Sequence, residues 1–225
     1  MSDKTYGLFT ALVGVVCGYA VIRHVFFLAD SMPLRNDLVQ GVFVGFGLAI
    51  VTIEAVARIK ATKVNGWVTI FGCGVPGNGI LMRAACLRIF PGPVNVPEEA
   101  VYWRTNVDGA GHTLFGDREY ILHFPPGGLP PNDAFWSLTM ADEKEHFVPN
   151  PMNRYSVGDR TGLLQNLDGS IDIYLQKTAP SGHETNWLPA PAGQFRLWLR
   201  IYMPRATVLD GTYTVRPVIE AKPKL

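Results

Sequence analysis

Two long apolar segments near the start of the chain constrain its fold more than any other feature. They cover residues 6–29 and 38–58, close to the length of about 20 mostly apolar residues that a membrane-spanning helix needs. In each of the pairs Gly14/Gly18 and Gly41/Gly45, the two glycines are four residues apart and lie on the same face of a helix, which permits close helix packing in lipid. The sequence therefore predicts a two-helix transmembrane hairpin over residues 1–60.

The first segment also has features of a cleaved signal peptide. Lys4 gives it a basic start, and Gly18-Tyr19-Ala20 resembles a small-x-small cleavage site. Because the apolar run is longer than a usual signal core, we favour two retained helices. Arg58, Lys60 and Lys63 follow the second helix, and by the positive-inside rule they favour a cytoplasmic position for the rest of the chain.

Glu54 is an acidic residue near the end of the second apolar segment. A carboxylate within one turn of a helix end can reach the membrane interface through its flexible side chain. The alternative is a functional carboxylate inside the membrane, because ionisable groups at that depth often serve transport or catalysis.

The composition excludes several function classes. A net charge of +1 without a Lys/Arg-rich stripe gives no support for nucleic-acid binding. The three cysteines form no CxxC motif, so we expect small apolar side chains, without a disulfide framework or a zinc site. Residues 72–77 match the glycine spacing of a dinucleotide-binding loop, but the βα units that such a fold requires are missing downstream. We therefore predict no cofactor and no metal.

Period-two alternation of apolar and polar residues dominates the chain after residue 98. We expect residues 61–97 to form a linker with one short helix over residues 80–90, and residues 98–225 to form one domain. Short strands separated by Pro, Gly and Asp-Gly turns are typical of an all-β antiparallel sandwich, here with a jelly-roll-like arrangement. The predicted strands cover residues 100–105, 119–124, 134–140, 171–176, 194–203 and 212–219.

The clearest of these strands is Phe195–Tyr202. Its alternation directs four apolar side chains to the core and sends four others, two cations and two aromatic rings, to the opposite face. Such a face can bind an anionic or sugar-like ligand or a partner protein, or it can be a solvated outer surface with internal cation–π pairs. The four outward residues are Arg196, Trp198, Arg200 and Tyr202.

Two loops with many polar and aromatic side chains, residues 150–160 and 186–193, suggest a second candidate site. Loops of this kind either bind a ligand or clamp the domain through buried hydrogen bonds. No hydrolase motif is present, and Asp108, Asp168 and Asp210 each precede glycine, as turn residues do. An enzyme site would have to be assembled by the fold from residues in separate segments, namely Trp136, Arg154, Tyr155, Asp159, His183 and Trp187.

The same segments resemble a known microbial family. The stretches 131–139, 150–161, 166–170, 186–193 and 209–213 follow in the block order of the domain of unknown function 1214, which often occurs beside the 1254 domain. The resemblance covers about residues 83–218 and implies a jelly-roll-like β domain. It implies no activity, since the family has no settled reaction or catalytic residues. Relatives are often exported or anchored by one N-terminal segment, which favours an extracytoplasmic domain.

These observations lead to two hypotheses of different classes. In the first, the chain is a membrane-anchored, non-catalytic binding or assembly subunit whose partners are the bilayer and other membrane proteins or further copies of itself. The alternative is a membrane-anchored hydrolase or carbohydrate-active enzyme with its site in the sandwich loops. Convergence of the six loop residues in one pocket favours the enzyme, and burial of those residues as clamps favours the binding module.

Overall fold

The computed structural model describes residues 33–92 and 94–221, which divide into two compact units. The described part of the first unit consists of residues 33–60 and 79–91, and that of the second of residues 61–78 and 92–221. The first predicted membrane segment, residues 6–29, lies outside the described residues.

The first unit contains helix α1, Pro33–Lys60, and helix α2, Ile80–Ile89. Within the described residues, Val39–Lys60 is the one stretch with the length and composition to cross a membrane, with a mean hydropathy of 2.0. The second predicted span is therefore found as a helix, and the described part of the chain supports one candidate span rather than a two-helix hairpin.

Glu54 is held by two arginines at the end of α1. Arg58 Nε donates to Glu54 Oε1 at 3.0 Å, and Arg88 Nε from α2 donates to Glu54 Oε2 at 2.8 Å. Ala57 of α1 and Ala85 of α2 are both buried, and their small side chains permit close packing of the two helices. Both carboxylate oxygens thus have cationic partners, an arrangement that accounts for an acidic residue at this helix end.

The second unit is a β-sandwich of two sheets. The six-stranded sheet has the order β1-β2-β3-β9-β5-β6, and the four-stranded sheet has the order β10-β4-β7-β8. All strand pairs are antiparallel except β7 with β8, which are parallel. A single helical turn, α3, covers Ala206–Leu209. The strands are β1 Thr62–Val64, β2 Trp67–Thr69, β3 Ala100–Thr105, β4 Tyr120–Phe124, β5 Asn132–Asp142, β6 Ser156–Gly158, β7 Ile171–Gln176, β8 Trp187–Pro189, β9 Phe195–Pro204 and β10 Val218–Glu220.

The core lies between the two sheets and follows the predicted alternation. Leu197, Leu199 and Ile201 of β9 are completely buried, as are Leu122 of β4 and Ile173 of β7 in the facing sheet. Burying such aliphatic side chains stabilises a fold by about 1.5–3 kcal/mol each. The predicted β-sandwich is therefore confirmed as two packed sheets, and its jelly-roll connectivity stays a prediction.

Some strands differ from the predicted ones. Residues 61–69, placed in a linker, form the hairpin β1–β2 through the two-residue turn Asn65-Gly66, in which both residues have positive φ. The predicted strand 212–219 shortens to β10. The carbonyls of Val215 and Arg216 accept side-chain hydrogen bonds from Asn65 Nδ2 and Trp67 Nε1 instead of strand bonds.

Two cysteines are oxidised, contrary to the expectation of free apolar side chains. Cys73 and Cys86 are both disulfide-bonded. Because the sequence contains no CxxC motif, the local pattern gave no indication of this oxidation.

The Asp-Gly turns predicted from the sequence are built by their aspartates. Asp108 Oδ1 accepts hydrogen bonds from the backbone N–H groups of Ala110, at 2.9 Å, and His112, at 2.8 Å. Likewise, Asp168 accepts a hydrogen bond from the backbone N–H of Ser170, and Asp210 accepts one from that of Thr212. These carboxylates are therefore turn-forming groups, as their sequence context indicates.

Asp108→Asn is expected to reduce the loss of stability in acid. Burial raises the pKa of the Asp108 carboxyl, but hydrogen bonds from the backbone of His112 and Ala110 outweigh burial and lower this pKa below its usual value. A carboxyl with a lowered folded-state pKa stabilises the fold above its unfolded pKa, and this stabilisation is lost as the pH falls through the folded pKa.

We therefore expect the free energy of unfolding of the wild type to decrease between about pH 5 and pH 2, and that of Asp108→Asn to decrease less. Urea unfolding followed by tryptophan fluorescence measures both. Glu143→Gln, an exposed carboxylate change, is the control and should retain the wild-type acid slope. Identical slopes for the wild type and Asp108→Asn would contradict this assignment.

Candidate functional site: an arginine–aromatic sheet face

The outward side of β9 forms the centre of a polar and aromatic surface on the six-stranded sheet. β9 lies between β3 and β5, with Trp198 opposite Arg104 on one side and Thr139 on the other. The four predicted residues are half-buried, whereas the inward residues of the strand are fully buried. We define the arginine–aromatic face as Arg104, Phe135, Glu145, Arg196, Trp198, Arg200 and Tyr202.

Glu145 fixes one end of this face. One of its carboxylate oxygens, Oε1, accepts hydrogen bonds from both Arg104 and Arg196, and Oε2 accepts one from Trp198 Nε1 at 2.9 Å. The Arg104 guanidinium also lies 5.5 Å from the centre of the Trp198 ring. Since a single carboxylate orients two guanidinium groups and an indole, their positions are set before any ligand binds.

A strained turn places Glu145 at this position. Asp142, at the end of β5, accepts hydrogen bonds through Oδ1 from the N–H groups of Lys144 and His146, both at 2.8 Å. Glu145 between them adopts a φ of 68°, a left-handed conformation that costs a non-glycine residue about 1 kcal/mol or more. The ion pairs of Glu145 offset part of this strain.

The other end of the face is aromatic. The rings of Phe135 and Tyr202 stack with their centres 4.3 Å apart and an interplanar angle of 20°. Arg200 Nη1 donates a hydrogen bond to Thr139 Oγ1 at 2.9 Å, and its guanidinium lies 5.8 Å from the centre of the Trp198 ring. At the margin, Arg160 lies 4.1 Å from the centre of the Phe135 ring.

Tyr102 adds a phenol beside Arg200 across the β3–β9 pair. Burial raises the pKa of Tyr102 above its usual value, against a smaller opposing effect from its contact with Asn95. The hydroxyl donates to Asn95 Oδ1 at 2.8 Å. Tyr102 is therefore protonated at neutral pH and acts as a hydrogen-bond donor at the edge of the face.

The charge of the face favours anions. Three arginines oppose one carboxylate, and Trp198, Phe135 and Tyr202 supply flat apolar surface between the charges. Guanidinium groups bind carboxylates and phosphates through paired hydrogen bonds, and they stack on aromatic rings. The arrangement is chemically suited to bind an acidic group that carries apolar or aromatic surface.

The six residues of the predicted enzyme site make several local contacts, two of which join members of the set: Asp159 with Trp136, and Arg154 with Trp187. Trp136 faces the core, where its ring is 5.5 Å from that of Phe124, and Asp159 Oδ2 accepts a hydrogen bond from the Trp136 N–H at 3.3 Å. Tyr155 packs against Phe147 with ring centres 5.3 Å apart. Trp187 is buried and donates from Nε1 to the Gln176 carbonyl at 2.8 Å.

Arg154 clamps the turn that leads into β8. Its Nη1 donates to the carbonyls of Glu184, at 2.7 Å, Thr185, at 3.2 Å, and Trp187, at 2.9 Å. Asn186 in this turn is buried and bonds both the N–H and the carbonyl of Leu164 at 2.8 Å. Arg154 and Asn186 thus form hydrogen bonds with backbone groups of a loop that has few hydrogen bonds to neighbouring strands. Both residues therefore have a structural role.

His183 packs against Tyr174 of the four-stranded sheet. Its ring centre is 4.8 Å from that of Tyr174, and both residues line a cavity of about 800 Å³. Within the described residues, no group of three or more His, Cys, Asp or Glu side chains is placed to hold a metal ion. The catalytic role of the six residues stays an untested prediction.

Sequence reasoning missed three members of the arginine–aromatic face. Arg104 lies in the correctly predicted strand β3, two residues after Tyr102 and therefore on the same side of the sheet. Pairing β3 with β9 would have placed Arg104 on the face. Phe135 lies in β5 beyond a bulge between Asn132 and Phe135, which changes the register. Glu145 lies in a turn, and no local pattern relates it to β9 in the sequence.

Comparisons with known proteins find a family that resembles part of the chain. The model of the family described as a protein of unknown function (DUF1214) matches residues 99–206, and it confirms the predicted resemblance. The matched region contains β3 to β9 and therefore the complete arginine–aromatic face. No curated protein matches the chain.

Two solved structures resemble the chain. The VPA0106 protein from Vibrio parahaemolyticus has 21% identity and a TM-score of 0.61, covering 86% of this chain and 47% of that one. A putative uncharacterized protein from Burkholderia cenocepacia has 13% identity and a TM-score of 0.40, with 96% and 53% covered. The first similarity supports the fold alone. The chain spans about half the length of either structure.

Arg154→Ala is expected to destabilise the sandwich by about 2 kcal/mol, because it removes three hydrogen bonds from a charged donor. Denaturant unfolding measures this change. Arg205→Ala is the matched control, since Arg205 pairs with Asp133 on the surface and its side chain is 62% exposed. Its effect should stay within about 0.5 kcal/mol. Equal effects of the two substitutions would contradict the clamp.

Proposed function

We propose that this chain is a membrane-anchored, non-catalytic binding module whose arginine–aromatic face binds an acidic surface of a partner membrane protein. The observation that carries the proposal is the fixed position of Arg104, Arg196 and Trp198 around Glu145. A face organised in this way does not need to order its side chains on binding, which lowers the entropic cost of association.

The residue types of the face support a protein partner. Arg, Trp and Tyr are enriched at protein interfaces and among the residues that contribute most to binding free energy. The surplus of two positive charges favours carboxylate groups on the partner. The stacked pair Phe135–Tyr202 offers apolar area next to Arg200, so recognition combines charge with burial of aromatic surface.

The anchor strengthens such an interaction. Helix α1 contains the candidate span Val39–Lys60, and confinement to a membrane raises the effective concentration of one membrane protein around another. A face of modest intrinsic affinity can therefore hold a partner in the same bilayer.

The test is co-purification of the full chain from its native membranes in mild detergent, with mass spectrometry of the proteins that elute with it. We expect a partner whose amount falls about tenfold or more with Arg200→Ala/Tyr202→Ala, because losing a charge and a stacked ring together costs about 1.4 kcal/mol or more. The complex should also weaken as salt is raised.

Arg205→Ala changes an exposed arginine that is not a member of the face; it is the control and should retain the partner. A partner that stays bound to both variants would refute the role of the face, and so would the absence of any stoichiometric partner. Thermal unfolding of each variant verifies that the sandwich is folded.

We further propose that the sandwich lies on the extracytoplasmic side of the membrane. Disulfide-bonded Cys73 and Cys86 support this side, because disulfides persist in oxidising compartments and are rare in the cytosol. The positive charges after α1 favour the opposite side. We give the oxidised cysteines more weight, because Arg58 already serves as an ion-pair partner of Glu54.

Labelling with a membrane-impermeant maleimide reagent tests the side. In intact cells, a cysteine introduced at exposed Thr178 should react without permeabilisation. Cys73 and Cys86 should react after denaturation only when a reductant is added. Labelling of residue 178 only in lysed cells would place the domain in the cytoplasm and refute the proposal.

A further inference from the structure

A second concave surface lies on the outer side of the four-stranded sheet. Its floor is the cross-strand pair Ile121 and Tyr174 of β4 and β7, and the Tyr174 ring packs against that of His183. The cavity has a volume of about 800 Å³, within the range of about 300–1,000 Å³ that small-molecule sites occupy. None of its residues belongs to the arginine–aromatic face.

The walls of this cavity are fixed by hydrogen bonds. On one side, Ala221 N–H donates to the Glu119 carbonyl at 2.8 Å and ties the end of β10 to the start of β4. On the other side, Gln176 Nε2 donates to the Thr178 carbonyl at 2.8 Å, and His183 N–H donates to the Pro180 carbonyl at 3.1 Å. These bonds hold the backbone segments on both sides of the cavity.

The charge of the cavity is opposite to that of the arginine–aromatic face. Asp117, Glu119 and Glu220 line it, and among the described residues of the lining Arg118 is the one Lys or Arg side chain. Arg118 Nη1 pairs with Glu220 Oε2 at 3.3 Å, so within this described lining the carboxylates of Asp117 and Glu119 are in excess. Carboxylates beside an aromatic ring are the combination that attracts an organic cation.

Tyr174 is suited to act as the ring in this contact. Burial raises the pKa of Tyr174, and nearby Asp172 raises it further, so the phenol is neutral at physiological pH. Its ring then presents an electron-rich face, and the packed His183 restricts its motion. Ring and carboxylates border one space, and this juxtaposition distinguishes the cavity from an ordinary acidic surface.

We propose that this cavity binds a small organic cation with an ammonium group, seated against the Tyr174 ring and neutralised by Asp117 and Glu119. The proposal does not depend on the function proposed above, since the two surfaces belong to different sheets. Failure of one test therefore leaves the other result unaffected.

Choline and its neutral carbon isostere dimethylbutanol are the probes, because the two molecules differ in charge at nearly constant shape. Ligand-observed NMR with the full chain in detergent measures binding. We expect saturable choline binding with a Kd of about 1 mM or lower, and binding of dimethylbutanol weaker by about tenfold or more. Equal affinities, or no saturation by choline at about 20 mM, would overturn the proposal.

Two variants locate the binding. Tyr174→Leu removes the ring, and Asp117→Asn/Glu119→Gln removes the excess charge at exposed positions, and each should weaken choline binding about fivefold or more. Asp133→Asn, an exposed carboxylate on the other sheet, should leave it unchanged. If Tyr174→Leu fails to fold, the carboxylate variant alone decides, and wild-type affinity in that variant would refute the site.

Discussion

Burial of the inward side of β9 is the constraint on which the rest of the sandwich depends. Leu197, Leu199 and Ile201 are inaccessible to solvent and pack towards the facing sheet. Because side chains alternate along a strand, this burial forces Arg196, Trp198, Arg200 and Tyr202 to the outer side. A slip of one residue would put arginines in the core, so the register of β3 and β5 against β9 is strongly specified. The buried core and the outward arginine–aromatic face are two consequences of one alternation.

Outside the strands, polar side chains stabilise the connections by hydrogen bonding to backbone groups. Arg154 and Asn186 hold the connection before β8, and Trp187 joins β8 to β7 through the Gln176 carbonyl. These bonds satisfy backbone groups that no strand partner reaches, which a buried loop requires. Arginine, asparagine and tryptophan are also the residue types of binding sites. The same composition therefore suggested an enzyme site in the sequence and forms clamps in the fold.

The two outer faces of the sandwich carry different charge. In the arginine–aromatic face three arginines outnumber one carboxylate, and Glu145 holds Arg104 and Arg196. Among the described residues that line the cavity on the four-stranded sheet, carboxylates outnumber Arg118. The net charge of +1 for the whole chain does not indicate this difference in charge between the two surfaces. Opposite charge on separate surfaces permits one domain to recognise two chemically different ligands, since the packed core between the sheets keeps the surfaces apart.

The sequence by itself determined the apolar helix before residue 60, the β-sandwich and the composition of the outer side of β9. These features follow from local periodicity and segment length, which are properties of neighbouring residues. Tertiary structure alone decided that Glu145 joins Arg104 and Arg196, that Arg154 is a clamp, and that Tyr174 meets His183. Each of these contacts joins residues far apart in the chain, and their meeting depends on strand order and turn geometry. A one-dimensional pattern specifies which way a side chain points, but only the folded chain specifies what that side chain meets.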